Sequence, residues 1–479
     1  MLHIVYKTVK NNTVIYIDSL EAKMERQKNF SKKATKRKRA PLSKHHHMTI
    51  RWDEFIGDAG DELAIDASLK ERAAIVGRIG ILMLACGTGA WRVRNSMNSI
   101  ARVLGLTCTA DVGLVSIEYT CVELDESYTQ TLALATSGVN TSKLTDLEWF
   151  VREFERHGRQ MTISDIHYLI DQIRAKSGLY KPPVLGLAAA LACSAFVFLL
   201  GGGLIEMICA FIGAGFGNYV RAKMNQHKIT LFAGIFVSVA VACLMYMVSF
   251  RGIEALFLVS SRHEAGYIGA MLFVIPGFPF ITSGLDIAKL DMRSGLERMA
   301  HALTIIIVAT MVGWLTAMSI NFKPEDFIPL QLTSWQLLAL RLPASFCGVF
   351  GFSLMFNSSP KLASTAGLIG ALVNTVRLEL VDHTNVPPAA AAFVGALLAG
   401  LLASSLGRKA GYPRISLTVP AIVIMVPGLY MYRAVYNIGL NSISVGAYWL
   451  TQATLIVLAL PLGLIAARIL TDPKWRYSD

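Results

Sequence analysis

The chain has 479 residues, of which 53% are hydrophobic and only 16% are charged. Its mean hydropathy of +0.48 excludes an ordinary soluble protein and predicts an integral membrane protein. The net charge is +12, but most of it lies in residues 1–48. The excess of positive charge therefore belongs to an N-terminal tail and gives no reason to expect a nucleic-acid partner.

Residues 1–48 are expected to form a basic, unfolded tail. The tail contains the run KKATKRKR at 32–39, and a run of like charge is typical of a solvated segment. It is either an anchor for anionic lipid at the cytoplasmic face or a mis-assigned start, because Met48 is a plausible first residue. No apolar segment follows the basic residues, so no secretory signal peptide is predicted.

Residues 49–181 are predicted to form a cytoplasmic α+β domain, because helical patterns precede and follow two strand-like runs there. The predicted elements are Glu62–Leu104 (a helix in two pieces around Cys86–Gly89), Val112–Val122 and Tyr128–Thr136 (strands), and Leu144–His157 and Ser164–Ser177 (helices). His157, Asp165 and His167 fit no catalytic motif, and the segment has no nucleophile elbow, P-loop or HExxH sequence. A structural or regulatory role is therefore favoured over an enzyme site.

No metal or cofactor is expected. The seven cysteines are scattered and none forms a CxxC pair. We interpret them as small buried hydrophobic residues.

From Pro182 the chain becomes strongly apolar. Ten segments, each near the roughly 20 residues that a bilayer requires, predict ten transmembrane helices. They fall into a first half (residues 182–330) and a second half (residues 331–479). Lys and Arg residues of the connecting loops are concentrated on the side of the N-terminal domain, which predicts that both chain termini are cytoplasmic.

Two of these segments carry a Pro-Gly pair in the middle, Pro276-Gly277 and Pro427-Gly428. Proline removes a backbone donor, and in lipid the freed carbonyls must face protein or a water-filled cavity. Matched breaks in two halves are typical of a transporter's binding site, so we predict the substrate site there. The alternative is that each pair merely kinks its helix for packing.

The two halves also share sequence anchors in the same order. The pattern Asn-x-x-Arg occurs at Asn218–Arg221 and again at Asn374–Arg377, and the Pro-Gly breaks correspond in the same alignment. Asp286 then falls opposite Asn437. Because each copy has an odd number of segments, the copies enter the membrane from opposite sides. The fold class predicted is thus an α-helical membrane protein with a five-plus-five inverted repeat.

Polar residues near the breaks are candidate ligands. Asp286 could pair with a cargo ammonium group or carry a coupling proton. Glu206 is a second acidic candidate, or a side chain that snorkels to the outer surface. Arg221 and Arg377 are interface anchors or, for a dicarboxylate, paired cationic ligands. Arg341 lies inside the sixth helix or marks a later start of that helix. The predicted substrate and proton pathway is Pro276, Gly277, Asp286, Pro427, Gly428, Asn437, Asn218, Arg221, Asn374, Arg377 and Glu206.

Over about residues 60–470 the chain resembles the threonine/serine exporter family. The motifs that carry the resemblance are GTGAWRV at 87–93 leading to IARVLGL at 100–106, IPGFP at 275–279 with Asp286, Gly295 and Arg298, and VPG at 426–428 with Arg433. The resemblance implies proton-driven export of threonine and serine through the plasma membrane. In a related system that looks like a succinate exporter, the two halves occur as separate subunits.

We therefore expect a secondary exporter rather than an enzyme, with small amino acids, protons and the lipid bilayer as its partners. A homo-oligomer is left open. One alternative is an exporter of dicarboxylates on the same scaffold. The other is a membrane-anchored enzyme or sensor that acts through residues 49–181, but an anchor would not need matched Pro-Gly breaks.

Overall fold

A computed structural model describes residues 50, 52, 62–257, 261–322 and 327–476. The basic tail predicted over residues 1–48 lies outside the described residues. The described chain consists of an N-terminal segment of helices and one sheet (residues 62–181), followed by a bundle of long apolar helices.

The N-terminal segment contains a three-stranded antiparallel sheet in the order β1-β2-β3. Its elements in chain order are α1 (Leu69–Ala85), α2 (Ala90–Val103), β1 (Thr107–Val112), β2 (Ser116–Glu123), β3 (Glu126–Ala133), α3 (Thr141–His157) and α4 (Ile163–Ala175). In the register of the sheet, Cys108 faces Cys121, which in turn faces Tyr128.

The predicted interruption of the first helix is confirmed. Helix α1 begins at a capping box, in which Ser68 and Glu71 satisfy each other's backbone amides. It ends at Ala85 with Cys86 as its C-cap, and Gly87 follows with a φ of +79°. Glycine adopts this left-handed conformation without steric cost, so the chain turns here before α2 begins.

The strand predicted over Val112–Val122 is wrong in its bounds, because the chain turns at its beginning. Strand β1 ends at Val112, and Gly113 N donates to Ser116 O at 2.8 Å across the turn to β2. The residues of β1 are mostly exposed or half-buried. They therefore carry little hydrophobic pattern, which is why the sequence did not indicate this strand.

A buried arginine and histidine stabilise the core of the N-terminal segment. Arg78 is 1% exposed, lies with Nη1 2.6 Å from His167 Nδ1, and forms an ion pair with Asp171. Burial, together with the neighbouring Arg78, lowers the pKa of His167 to about 4. His167 is therefore a neutral core residue at physiological pH.

Acidification should destabilise this core. The pKa of His167 is about 4 in the folded chain and near 6.5 when unfolded, so the unfolded chain binds the proton first. Stability is lost as the pH falls from about 6.5 towards 4, by up to about 3 kcal/mol. Thermal unfolding of the full chain near neutral pH and near pH 5 measures the loss, which should be smaller in His167→Gln. The exposed His157 supplies the control His157→Gln, and equal losses in the two variants would contradict the prediction.

The bundle begins at Pro182, where proline is well placed in a first helical turn. Its helices are α5 (Pro182–Leu199), α6 (Leu204–Gln226), α7 (Leu231–Phe257), α8 (Tyr267–Ala270), α9 (Gly277–Ala288), α10 (Met292–Ser319), α11 (Ser334–Met355), α12 (Pro360–His383), α13 (Pro388–Ala410), α14 (Arg414–Val423), α15 (Gly428–Gly439), α16 (Ile443–Thr471) and α17 (Pro473–Arg476). Among the described residues, six helices are long and apolar enough to cross a membrane, and two bent pairs raise the number to eight. The protein is thus a multi-pass helical membrane protein.

The difference between these eight spans and the predicted ten lies in α6 and α12. They have 23 and 24 residues, which is long enough to cross a bilayer. They are less apolar than the six long helices counted above, because α6 carries Glu206 and Arg221, and α12 carries Arg377 and Glu379. Hydropathy alone supports six to eight spans, so the arrangement with ten remains a prediction.

Both Pro-Gly pairs break their helices, and they do so in the same way. Each bent pair turns by 52°. Pro276 has φ −83° and ψ 60°, and Pro427 has φ −81° and ψ 57°. After each second half-helix comes one left-handed residue, Leu290 with φ 61° and Asn441 with φ 59°. The same local backbone structure therefore occurs once in each half of the bundle.

Candidate functional site

The two breaks pack against each other. A Cβ atom on Gly277 would lie 2.6 Å from Val423 Cγ2, just before the second break. A Cβ atom on Gly428 would lie 2.9 Å from Leu272 Cδ2, just before the first. Because neither glycine has a side chain, each half-helix can approach the other break closely. The structure thus brings the two predicted site segments together.

A pair of tyrosines joins the halves a second time. The hydroxyl oxygens of Tyr267 on α8 and Tyr432 on α15 are 2.6 Å apart, and both side chains are fully buried. Each hydroxyl finds its partner in the opposite half, as buried polar groups require. Nothing in the local sequence pattern indicated this contact.

A cavity of about 560 Å³ lies at the second break. Its lining includes Val426–Tyr430 and the charged residues Arg341, Arg377, Arg433 and Asp382. The volume and the mixture of an apolar wall with a few charged groups are typical of a small-molecule site. The cavity is therefore the candidate binding site.

Arg341 belongs to the interior of the bundle. Helix α11 begins at Ser334, so this arginine lies inside the helix, and its side chain is 9% exposed. Its guanidinium forms ion pairs with Glu379, at 2.6 Å, and with Asp382. Two carboxylates on α12 therefore compensate the charge of Arg341.

Arg377 forms no such ion pair within the described chain, and the Asp382 carboxylate attracts it only at a distance. No described residue forms a hydrogen bond or ion pair with it, and its Nε is a buried donor without an acceptor. Nearby, the guanidinium of Arg433 lies 4.8 Å from the centre of the Trp449 ring, which is within cation–π distance. A half-buried guanidinium that lines a cavity without a partner favours an anionic ligand.

Arg221 occupies the corresponding position at the first break. Its Nη1 donates to Phe273 O at 3.4 Å, in the turn that precedes Pro276. Arg221 does not line the cavity that holds Arg377. The structure therefore places the two arginines at separate breaks, and does not pair them in one site.

The three predicted asparagines make helix contacts. Asn218 Nδ2 donates to Leu185 O at 2.7 Å, and Asn374 Nδ2 donates to Ser345 Oγ at 2.9 Å, so each ties its helix to the preceding one. Asn437 Nδ2 donates at 2.8 Å to a carbonyl of its own helix. None of the three lines the described cavity.

Glu206 is 1% exposed, so it does not snorkel to a surface. One carboxylate oxygen accepts from Gly203 N at 3.0 Å and caps α6. The other lies 2.7 Å from His263 Nδ1. Glu206 is thus a buried carboxylate with a titratable partner.

Asp286 lies against the N-terminal segment. Its Oδ1 accepts from Ala90 N at 2.9 Å, and its Oδ2 accepts from Ser294 Oγ at 2.9 Å and lies 3.2 Å from Arg298 Nε. Ala90 is the first residue of α2, so this carboxylate caps a helix N-terminus, where negative charge is favoured.

Arg298 completes this cluster. Its Nη2 donates to Thr88 O at 2.8 Å and its Nη1 to Gly87 O at 3.4 Å. A Cβ atom on Gly89 would lie 2.5 Å from Asp286 Oδ1, so only glycine permits the approach. The GTGAWRV motif and the motif around the first break thus meet in one contact, which spacing in the sequence could not show.

Alanine at either break should push the two halves apart. Gly277→Ala and Gly428→Ala each place a methyl group against a packed side chain, and overpacking costs about 1–3 kcal/mol. We expect a lower melting temperature and slower transport. The control is Gly234→Ala in α7, where nothing lies within 4 Å of the added Cβ atom and alanine favours the helix. Equal stability of the break variants and this control would contradict the close packing.

Comparisons with known proteins agree with the three motifs. A family model described as a threonine/serine exporter matches residues 74–321, and a second with the same description matches residues 342–470. A probable threonine/serine exporter of Mycobacterium tuberculosis is 23% identical over 415 residues, which cover 83% of this chain and 75% of that protein. A threonine/serine exporter of Corynebacterium glutamicum is 20% identical over 426 residues, 83% of each chain.

A probable succinate transporter subunit of Escherichia coli is 23% identical over 250 residues, which cover 50% of this chain and 91% of that subunit. No solved structure matches the chain. The first family model spans more than half of the chain and takes in both Asp286 and the GTGAWRV motif, while the second takes in Arg377 and the second break. The chain therefore belongs to the threonine/serine exporter family.

Proposed function

We propose that the protein is a secondary exporter that moves threonine and serine out of the cell across the plasma (inner) membrane, driven by the proton gradient. Membership of the exporter family and the multi-pass helical bundle support transport rather than catalysis. The observation that carries the site is the cavity at the second Pro-Gly break, with the unpaired Arg377 in its wall.

The proposed scaffold has ten spans in two inverted halves. The N-terminal segment contacts the bundle at Asp286, Ser358, Gly411 and Trp475. When α6 and α12 are counted as spans, all four positions fall at helix ends on one side of the membrane. This agreement supports ten crossings, and the positive-inside rule makes that side cytoplasmic.

The cavity offers a partner for each charged end of an amino acid. Arg377 can bind a carboxylate, and the N-terminus of α15 at Gly428 presents further amide donors and a favourable dipole. Carbonyl groups freed before Pro427 can accept hydrogens from the ammonium group. This combination suits a small zwitterion.

The coupling proton requires a titratable group within the bundle. Asp286 and Glu206 are the buried carboxylates that we propose for this role. They lie near opposite ends of the bundle, Asp286 beside Arg298 and Glu206 beside His263. Each could therefore exchange a proton with one side of the membrane.

A dicarboxylate such as succinate is the second candidate cargo. The specific observation is that Arg341, Arg377 and Arg433 outnumber Asp382 among the charged residues of the described lining. The similarity to a succinate transporter subunit points the same way. On this alternative, Arg377 would bind one carboxylate and the N-terminus of α15 would receive the other.

Efflux from preloaded cells tests the proposal. Cells loaded with a threonine-containing or serine-containing dipeptide, or with succinate, are compared with and without the protein, and with the proton gradient collapsed. We expect faster efflux of threonine or serine that disappears with the gradient, because downhill proton entry drives export. Faster efflux of succinate alone would favour the diacid alternative, and no change for any of these solutes would contradict the exporter.

Removing the charge of Arg377 should weaken cargo binding. A hydrogen bond to a charged group contributes about 1.5–3 kcal/mol, so Arg377→Gln should raise KM for efflux by roughly tenfold or more. The KM of Arg377→Lys should lie between those of the parent protein and Arg377→Gln, because lysine keeps the positive charge but lacks the planar guanidinium group. Arg221→Gln is the matched control at the other break and should leave KM near its original value. Equal effects at the two positions would contradict a cargo site at the second break.

A further inference from the structure

The N-terminal segment rests on the start of α10 in the first half of the bundle. Beyond the cluster around Asp286, Leu114 N in the β1–β2 turn donates to Glu297 Oε2 at 2.6 Å. Asp111 on β1 forms an ion pair with Arg293. The segment thus holds the connection that follows the first broken helix.

The same segment also holds the second half. Thr141 Oγ1 at the start of α3 lies 2.8 Å from Ser358 Oγ, in the connection between α11 and α12. Beside them, Asn357 Nδ2 donates to Asn140 Oδ1 at 2.9 Å. The N-terminal segment therefore bridges both halves at one end of the bundle.

These contacts are polar and can be released. Asp286, Ser294 and Arg298 also bond to one another. These three side chains therefore keep hydrogen-bonding partners when the N-terminal segment moves away. Water can replace the remaining donors and acceptors. Polar contacts of this kind are typical of interfaces within one chain that open and close.

At the other end of the bundle the same backbone hydrogen bond recurs, but no part of the N-terminal segment is described over it. Ser442 N donates to Asn437 O at 2.9 Å, as Asp291 N does to Asp286 O at 2.9 Å. Yet Asn437 is partly exposed, whereas Asp286 is 2% exposed beneath the N-terminal segment. The cavity is lined by connections at this other end, including Leu199–Gly201. One end of the path is covered and the opposite end holds the cavity.

We propose that the N-terminal segment, residues 62–181, is the inner gate of the transporter, closed on the cytoplasmic end of the cargo path and obliged to lift before cargo enters. The inference rests on the proposed function. The contact between the start of α2 and the Asp286–Arg298 pair holds the gate in its closed position. Gly89 is required there because any side chain would meet the carboxylate.

A reversible cross-link tests the gate. The hydroxyl oxygens of Thr141 and Ser358 are 2.8 Å apart, so cysteines at both positions place their sulfur atoms within reach of a disulfide. Inverted membrane vesicles with the full-length Thr141→Cys/Ser358→Cys chain are assayed for threonine uptake before oxidation, after it, and after reduction. Oxidation should slow uptake by about tenfold or more, as expected when gating is an obligatory step, and a reductant should restore it. The single variants under the same oxidant are controls and should keep their rates. Undiminished uptake by the cross-linked protein would overturn the gate.

A second readout separates failure of the gate from failure of the transport proposal. Ser283 is fully buried on α9 between the first break and Asp286, and its hydroxyl donates to Gly295 O on α10 at 2.7 Å. We expect the cargo path to open along this contact between α9 and α10 when the gate lifts, so that a Ser283→Cys thiol becomes reachable from the cytoplasmic face. In the same vesicles, a membrane-impermeant maleimide should modify this cysteine about tenfold more slowly after cross-linking. If the parent chain transports neither amino acids nor succinate, the proposed function fails, and equal labelling of cross-linked and reduced protein would overturn the gate by itself.

Discussion

Two prolines free backbone carbonyls inside a bundle where water is scarce, and the structure is organised by how those groups are satisfied. The tight turns at Gly277 and Gly428 each close with a backbone bond, at 2.9 and 2.8 Å. At the first break, Arg221 meets the carbonyl of Phe273. At the second, Arg377 meets a cavity. The arginine at the first break thus bonds to a carbonyl of the protein, whereas the arginine at the second break lines a cavity.

The two breaks share a local backbone geometry, but the half-helices that follow them differ in charge. Asp286 needs donors and a cation because a buried carboxylate is costly without them, and it finds Ala90 N and Arg298. Its counterpart Asn437 is neutral, and its side-chain amide donates to a carbonyl of its own helix. The acidic residue therefore stands where the N-terminal segment covers the bundle, and the amide stands at the more exposed end.

Local sequence patterns predicted most helices and strands, but they did not predict contacts between residues that are distant in the sequence. Proline and glycine fix backbone geometry by themselves, so both breaks and the division between α1 and α2 were predictable. Strand β1 was not, because its exposed residues carry no clear pattern. The partners of Asp286 and Arg341 lie far away in sequence or on another helix, and only packing brings them together. The cavity is likewise a product of packing.

The bridge formed by the N-terminal segment bears on how such a protein can be assembled from parts. The link between Ser319 and Ser334 is the connection between the two halves along the chain. Across it, Thr141 with Ser358 and Tyr267 with Tyr432 join the halves without a covalent bond. A chain interrupted at this link would therefore still carry matching surfaces, so that two separately made polypeptides could recognise each other and dock as a heterodimer.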